Sequence, residues 1–180
     1  MTEVAKNERS TTVDTVLANR TKVVSLEGAM KKGIKEGSLE DALDKCVLTH
    51  YFAPIVEEYD CGTYARELFM PAGTVIVGKI HRHSHINFLS QGKVQVLTEA
   101  GLETLEAPCT FVSTMGLKRA VYIVEDAVWT TIHLTKHIGE DKLDKIEDEI
   151  IAKTFAEIGL EELDLNSLVG YTIKDFEALL

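Results

Sequence analysis

The chain has 180 residues, 45% of them hydrophobic, which is enough for one core with appendages. Its formal charge of −10, the lack of a basic stripe and the lack of any apolar run near the roughly 20 residues that span a bilayer argue against nucleic-acid and membrane partners. Cys46, Cys61 and Cys109 are widely spaced without a CxxC pair, so they read as reduced thiols rather than a disulfide frame or zinc knuckle.

Residues 1–47 read as an N-terminal arm with short helices. The first twelve are polar and expected to be unordered, and no apolar signal core is present, so a cytoplasmic location is expected. Val13 to Val24 suggests a short helix or arm, and Ser25 to Lys32 a helix ending near Gly33 or Gly37. Ser38, with Asp41 three residues on, suggests a further helical start before Ala42 and Leu43.

Residues 48–137 carry the strand signals. Val47 to Ala53 is β-rich and should stop at Pro54; Thr63 to Met70 leads to the turn Pro71-Ala72-Gly73. Then come Val75-Ile76-Val77, the histidine-rich Lys79-Ile80-His81-Arg82-His83-Ser84-His85, and the alternating Lys93 to Leu97. Ala107 to Val112 and Ala127 to His133 complete the set, punctuated by Gly73, Gly92, Gly101 and Gly116 in the manner of an antiparallel sandwich or barrel. If the histidine segment is extended, Lys79, His81, His83 and His85 share a face; a turn within it would break that alternation. The aromatics, Trp129 among them, are read first as core, with Trp129 also placed at the barrel mouth.

Residues 138–180 hold twelve acidic residues against four basic ones, which accounts for most of the net charge. A helix is expected from Gly139 to about Ile158, with Leu143, Ile146, Ile150, Thr154 and Ile158 as its apolar stripe and Gly159 as its stop. From Leu160 onward the chain stays apolar at an acidic terminus, so it must either fold back on the barrel or grip another chain.

On these residues the central stretch resembles the cupin superfamily of small jelly-roll barrels. Their first motif is Gly, five residues, His-x-His, three or four residues, Glu, six residues, Gly. Gly73 and Gly92 frame it, with Lys79 and His81 at the two histidine positions and His85 at the glutamate position. The second motif is met loosely: Thr114-Met115-Gly116 stands for Pro-x-Gly, Arg119 for the last histidine, and Pro108 for the opening glycine. The resemblance implies a mainly β, cupin-type antiparallel jelly-roll barrel with N-terminal and C-terminal helical extensions. The chain is also similar to small cupin-like proteins of tailed phages, for which virion association would be the corresponding location.

The family's metal site uses three histidines and a glutamate. Here Lys79 and Arg119 stand at two ligand positions, and two cations would repel a divalent ion. His81 and His85, joined by His83 or His133, form an alternative imidazole set suited to one divalent transition metal (Fe, Mn, Ni or Zn), or to none if the site is degenerate. Lys79, Arg119 and Trp129 are the candidate ligand-binding residues, the two cations for a small molecule or anion. A third reading makes the histidines ordinary barrel or loop residues. No catalytic residue is assigned, and the GxSxG, phosphate-loop and HExxH patterns are absent. Two functions follow: a cupin-fold binding or structural and assembly protein with a degenerate pocket, or a metal-dependent cupin oxygenase or isomerase acting on a small polar substrate. A homo-oligomer held through the terminal extensions is the expected partner arrangement.

Overall fold

Alternation of apolar and polar residues is realised as antiparallel strands through the middle of the chain. The computed structural model describes residues 13–160 and 173–178; the stretch 1–12 and the expected apolar tail residues Leu163, Leu165, Leu168, Val169 and Tyr171 lie outside the described residues. The strands are β1 (Val47–Val56), β2 (Cys61–Met70), β3 (Val75–Val77), β4 (Ile80–His81), β5 (His85–Thr98), β6 (Gly101–Glu106), β7 (Cys109–Ser113), β8 (Ala120–Thr135) and β9 (Ile151–Ala152). The helices are α1 (Val13–Lys35), α2 (Leu143–Ile150) and α3 (Ile173–Glu177).

Two long strands organise the barrel. β5 and β8 pair antiparallel along most of their lengths. β8 pairs with β3 through Ala120–Tyr122 and with β2 through Ala127–Thr135. β5 likewise pairs with β7 through His85–Leu89 and with β6 through Lys93–Thr98. Register shifts between Leu89 and Val94 bend β5 where it changes partner, as bulges do. The fold is thus the expected mainly β, antiparallel barrel, with helices at both ends. Its core is Met70, Leu89, Val94, Val96, Val121, Ile123, Ala127 and Trp129.

Gly92 sits at the bend rather than ending a strand. Its φ is +85°, and a Cβ there would lie 2.3 Å from the Asp126 carbonyl oxygen and 2.8 Å from Ala127 Cα. Both the dihedral and the backbone contact demand glycine. Gly92→Ala is expected to cost about 3 kcal/mol, summing left-handed strain and the forced separation of β5 from β8. Urea unfolding would show this as a lower midpoint at unchanged slope; a midpoint within 0.5 kcal/mol-equivalent of the parent, on the order of measurement error, would show that the bend does not need glycine.

The chain differs from expectation in three ways. α1 is one continuous helix rather than two short ones. Its buried residues Asn19, Val23 and Leu26 fall at helical spacing and seat it on Leu97 and Ala120. Arg20 pairs with Glu99, and Lys118 with Glu27, so the seam is fastened by charge as well. The C-terminal helix ends at Ile150, not Ile158, because Ile151 and Ala152 turn outward from the helix to form β9 against β4. β1 runs through Pro54 to Val56; Pro54 is accommodated because β1 is an edge strand and is irregular between Ala53 and Val56. No helix of the described residues is long and apolar enough to cross a membrane.

Candidate metal centre

Strand register builds the site in layers. Residues paired across strands share a face, so the pairs Tyr64–His133 and His85–Ser113 form one inward layer at one end of the barrel. The next inward layer is Arg66, Thr131, Asn87 and Phe111, and the third is Leu68, Trp129, Leu89 and Cys109. Polarity therefore falls along the barrel axis, from imidazoles to a polar belt to core.

His81 reaches this end from the small β4–β9 sheet. A bend at Arg82 and His83 breaks the alternation, so His81 and His85 converge while His83 projects into solvent. The rings of His81, His85 and His133 stand 4.1, 4.9 and 4.7 Å apart, centroid to centroid. Each offers one nitrogen, and the three nitrogens lie within 4.8 Å of one another. His81 Nδ1, His85 Nε2 and His133 Nε2 are all buried and make no hydrogen bond. His83 does not bring its imidazole to this cluster; its carbonyl accepts a hydrogen bond from His85 Nδ1 at 3.2 Å. A carbonyl can only accept, so the proton sits on Nδ1 and the lone pair of His85 Nε2 faces the other two rings.

Burial keeps the cluster uncharged. Loss of hydration is the main cause that lowers the pKa of His81 to about 2 and that of His133 to about 3, and repulsion among the rings adds to it. His85 moves in the same direction, again through burial, opposed by its bond to His83. At neutral pH the three rings are neutral donors, the form a metal ion takes. Three buried nitrogens without a partner each cost about 1–3 kcal/mol, an unusual concentration for a residue set with only a packing role. The donor set therefore fits a metal ion, and the three histidines are positioned to hold one.

Beside the histidines lies a cavity of about 140 Å³, lined by Arg66, Lys79, His81, Asn87, Arg119 and Trp129 among others. Arg119 is buried, donates to Ser113 Oγ at 2.6 Å and stacks 5.2 Å from the Trp129 ring. Asn87 Nδ2 donates to the same Ser113 oxygen at 2.8 Å, and Trp129 Nε1 donates to Asn87 Oδ1 at 3.0 Å. This chain of hydrogen bonds holds the guanidinium in place. Burial lowers the Arg119 pKa to about 10, which still leaves it charged at neutral pH. Arg20 and Arg82 pair with Glu99 and Glu157. Among the described residues no carboxylate makes an ion pair with Arg66 or Arg119. Lys79 is half-exposed and pairs with Glu147 of α2.

The three expected ligand-binding residues thus share one cavity, but they do unlike things. Lys79 is tied to α2, Arg119 is fixed inside the barrel, and Trp129 divides the polar belt from the core. Arg66 and Asn87 belong to the same cavity and were not foreseen. The signal for Arg66 was available: it is two residues from Tyr64 and Leu68 on a strand whose alternate residues point inward. A second cavity of about 280 Å³, lined by His50, Tyr64, Arg66, Lys79, Ile146 and Glu147 among others, lies between the barrel and α2. There Tyr64 Oη and His50 Nδ1 share a hydrogen bond of 2.8 Å. The cysteines are free, as expected.

Neither a protein-family model nor a curated protein sequence matches this chain. Solved structures do resemble it. KdgF from Halomonas sp. is 17% identical over 52% of this chain and 82% of its own, with a TM-score of 0.39. An RmlC-like cupin from Shewanella frigidimarina is 14% identical over 52% and 88%, with a TM-score of 0.37. Ectoine synthase from P. lautus is 8% identical over 61% and 75%, with a TM-score of 0.42. These are likenesses of strand arrangement at low identity, and they carry neither a substrate, a reaction nor a phage origin to this chain.

Proposed function

We propose that this cupin-fold barrel binds one divalent transition metal through His81, His85 and His133, and a small anionic molecule beside it. One observation carries the reading: three uncharged imidazoles each hold a buried nitrogen without a hydrogen bond, and each offers a nitrogen within 4.8 Å of the other two. Imidazole donors suit Fe, Mn, Ni or Zn to different degrees, and a three-histidine set leaves positions open for water or ligand. A metal held there would supply Lewis acidity or an activated water.

The chain's own residues supply the rest. Arg66 and Arg119 offer guanidinium groups that make no ion pair with a carboxylate among the described residues, and a carboxylate or phosphate is the ligand that planar forks of N–H donors recognise best. Ser113, Asn87 and Trp129 keep Arg119 oriented, so it need not reorganise when the anion arrives. Tyr64 shares its layer with His133, and burial, its main influence, raises its pKa, so it stays protonated with its hydroxyl held by His50 Nδ1 in the neighbouring cavity. The anionic-pocket reading and the metal reading are thus parts of one site, and a metal-dependent enzyme acting on a small polar acid is the function they support best. The metal reading is preferred to the degenerate pocket because His133, far off in sequence, offers a third imidazole where Lys79 and Arg119 offer none.

The test is metal content and anion binding of untagged protein. Equilibrium dialysis against Ni²⁺, Zn²⁺, Mn²⁺ or Fe²⁺ is expected to give one tightly held ion per chain. Calorimetric titration of the loaded protein with small dicarboxylates or inorganic phosphate is expected to show binding that Arg119→Met weakens at least tenfold without releasing the ion. Uptake of less than a tenth of an equivalent of every ion, a bound of order-of-magnitude purpose, would end the metal reading.

A further inference from the structure

α2 is tied to the barrel by three polar contacts. Thr135 Oγ1 donates to Glu149 at 2.7 Å, the Arg82 backbone N–H donates to the Ile150 carbonyl at 2.9 Å, and Lys79 pairs with Glu147. Leu143, Ile146 and Ile150, three and four residues apart on one face of the helix, pack around Tyr64. With Leu48 and Ile151 they give the 280 Å³ cavity an aliphatic lining. The rest of that lining is polar, but it is largely paired within itself: Tyr64 Oη with His50 Nδ1 at 2.8 Å, and Lys79 with Glu147. Arg66 is the exception. Its guanidinium makes no hydrogen bond or ion pair among the described residues.

Arg66 and Lys79 line this cavity and the 140 Å³ cavity beside the histidines alike. Neither cavity alone reaches the roughly 300–1,000 Å³ of small-molecule sites, whereas the two together do. We infer that the anion at Arg66 and Arg119 is the head of a medium-chain monocarboxylic acid whose hydrocarbon body lies under α2. The inference rests on the metal-and-anion reading above and names the substrate class for that site. Arg66 is where the two cavities share a cation that nothing else engages, so the head belongs there and the body extends to the larger side.

The lining decides between a hydrocarbon body and a second acid group. Methylenes gain by leaving water for the aliphatic side chains of Leu48, Leu143, Ile146, Ile150 and Ile151. A second carboxylate gains nothing comparable. Of the two cations there, Lys79 is paired with Glu147 and Arg66 is taken by the head, so a second anion finds no partner and meets the Glu147 charge. A monoacid is therefore preferred to a diacid of the same length. Each methylene placed under α2 is expected to raise affinity about two- to fourfold. The upper figure is full transfer from water, and the lower one allows for ordering of the chain.

Calorimetric titration of the metal-loaded full chain with butanoate, hexanoate, octanoate and octanedioate tests the inference, with the ion content of each sample measured alongside. Octanoate is expected to bind one per chain and tighter than butanoate by about tenfold or more. Octanedioate is expected to bind more weakly than octanoate. Leu48→Trp, at a position 43% exposed, fills the cavity from its rim and is expected to cancel the rise with chain length. Val47→Trp, its neighbour outside both linings and 60% exposed, is expected to keep it. If Leu48→Trp fails to fold, Leu143→Ser serves, and at least a halving of the gain per methylene is the expected reading, on the order of one lost apolar contact. A chain that holds its ion and binds butanoate, yet binds octanoate no tighter or octanedioate as well, overturns the substrate class and leaves the metal-and-anion site standing. A rise that survives both cavity variants does the same. A chain that holds no ion, or that binds none of the acids, brings down the site and the substrate class together.

Discussion

Replacing His85 with leucine is expected to abolish metal binding and to leave the metal-free protein as stable as its parent, or more so. His85 is 5% exposed, and its Nε2 has no hydrogen-bond partner. Leucine of similar volume removes that orphaned atom, a gain of about 1–3 kcal/mol, and loses the bond from Nδ1 to the His83 carbonyl, a cost of about 1 kcal/mol. The two nearly cancel, with the balance toward stability. A histidine kept only for packing and hydrogen bonding would behave in the opposite way, and its replacement would destabilise. With metal present the comparison inverts. The parent gains about 2.7 kcal/mol at a ligand concentration of one hundred dissociation constants, and His85→Leu gains nothing. Urea unfolding with chelator and with added Ni²⁺ or Zn²⁺ reads both arms. If His85→Leu loses 2 kcal/mol or more without metal, about the cost of an ordinary core disruption, the histidines are structural.

Acidification is expected to destabilise the metal-free protein, beginning just below pH 6.5. The sign follows from where the protons go. The unfolded chain binds protons at its histidines near the ordinary imidazole value of 6.5, whereas folded His81 and His133 hold theirs off until about pH 2 and about pH 3. Between those limits the unfolded state carries more protons, so stability falls as pH falls. It is fully present above pH 6.5. Each of the two groups contributes a slope near 1.4 kcal/mol per pH unit, or about 2 kcal/mol by pH 5. His85 acts in the same direction. Weakening self-repulsion works against this trend, because acidification brings a chain of charge −10 nearer to neutrality. A net fall in the urea midpoint from pH 7.5 to pH 5 therefore reports the histidines, and His133→Leu should flatten it. A midpoint that holds steady or rises over that range would mean that the cluster takes up protons without strain. In the loaded protein the same protons compete with the ion, so release on acidification is the companion result.

Local signals carried much of the barrel. Alternation placed β2, β3 and the main part of β5 and β8, and the turn at Gly73 lies where it was expected, because period-two patterning is a property of neighbours in sequence. The α2 stripe was equally legible through Ile146 and Ile150. Its end was not, since Ile151 and Ala152 satisfy a helical pattern as well as a strand, and only the open edge of β4 decides between them. The continuity of α1 through Gly28 was hidden for a like reason: glycine weakens a helix locally, and packing of Val23, Leu26 and Met30 on the barrel outweighs it.

By itself the sequence determined a mainly β, antiparallel barrel with helical ends, and it marked His81, His83, His85 and His133 as chemically capable. Which imidazoles meet was settled only in three dimensions. His133 lies 48 positions after His85, and strand pairing across β5 and β8 removes that separation, while a bend at Arg82 and His83 turns the intervening imidazole outward. The motif places Lys79 and Arg119 at ligand positions, yet tertiary contacts send one to Glu147 and hold the other beside Trp129. Spacing along a chain specifies a face; register between strands specifies a neighbour, and a metal centre is made of neighbours.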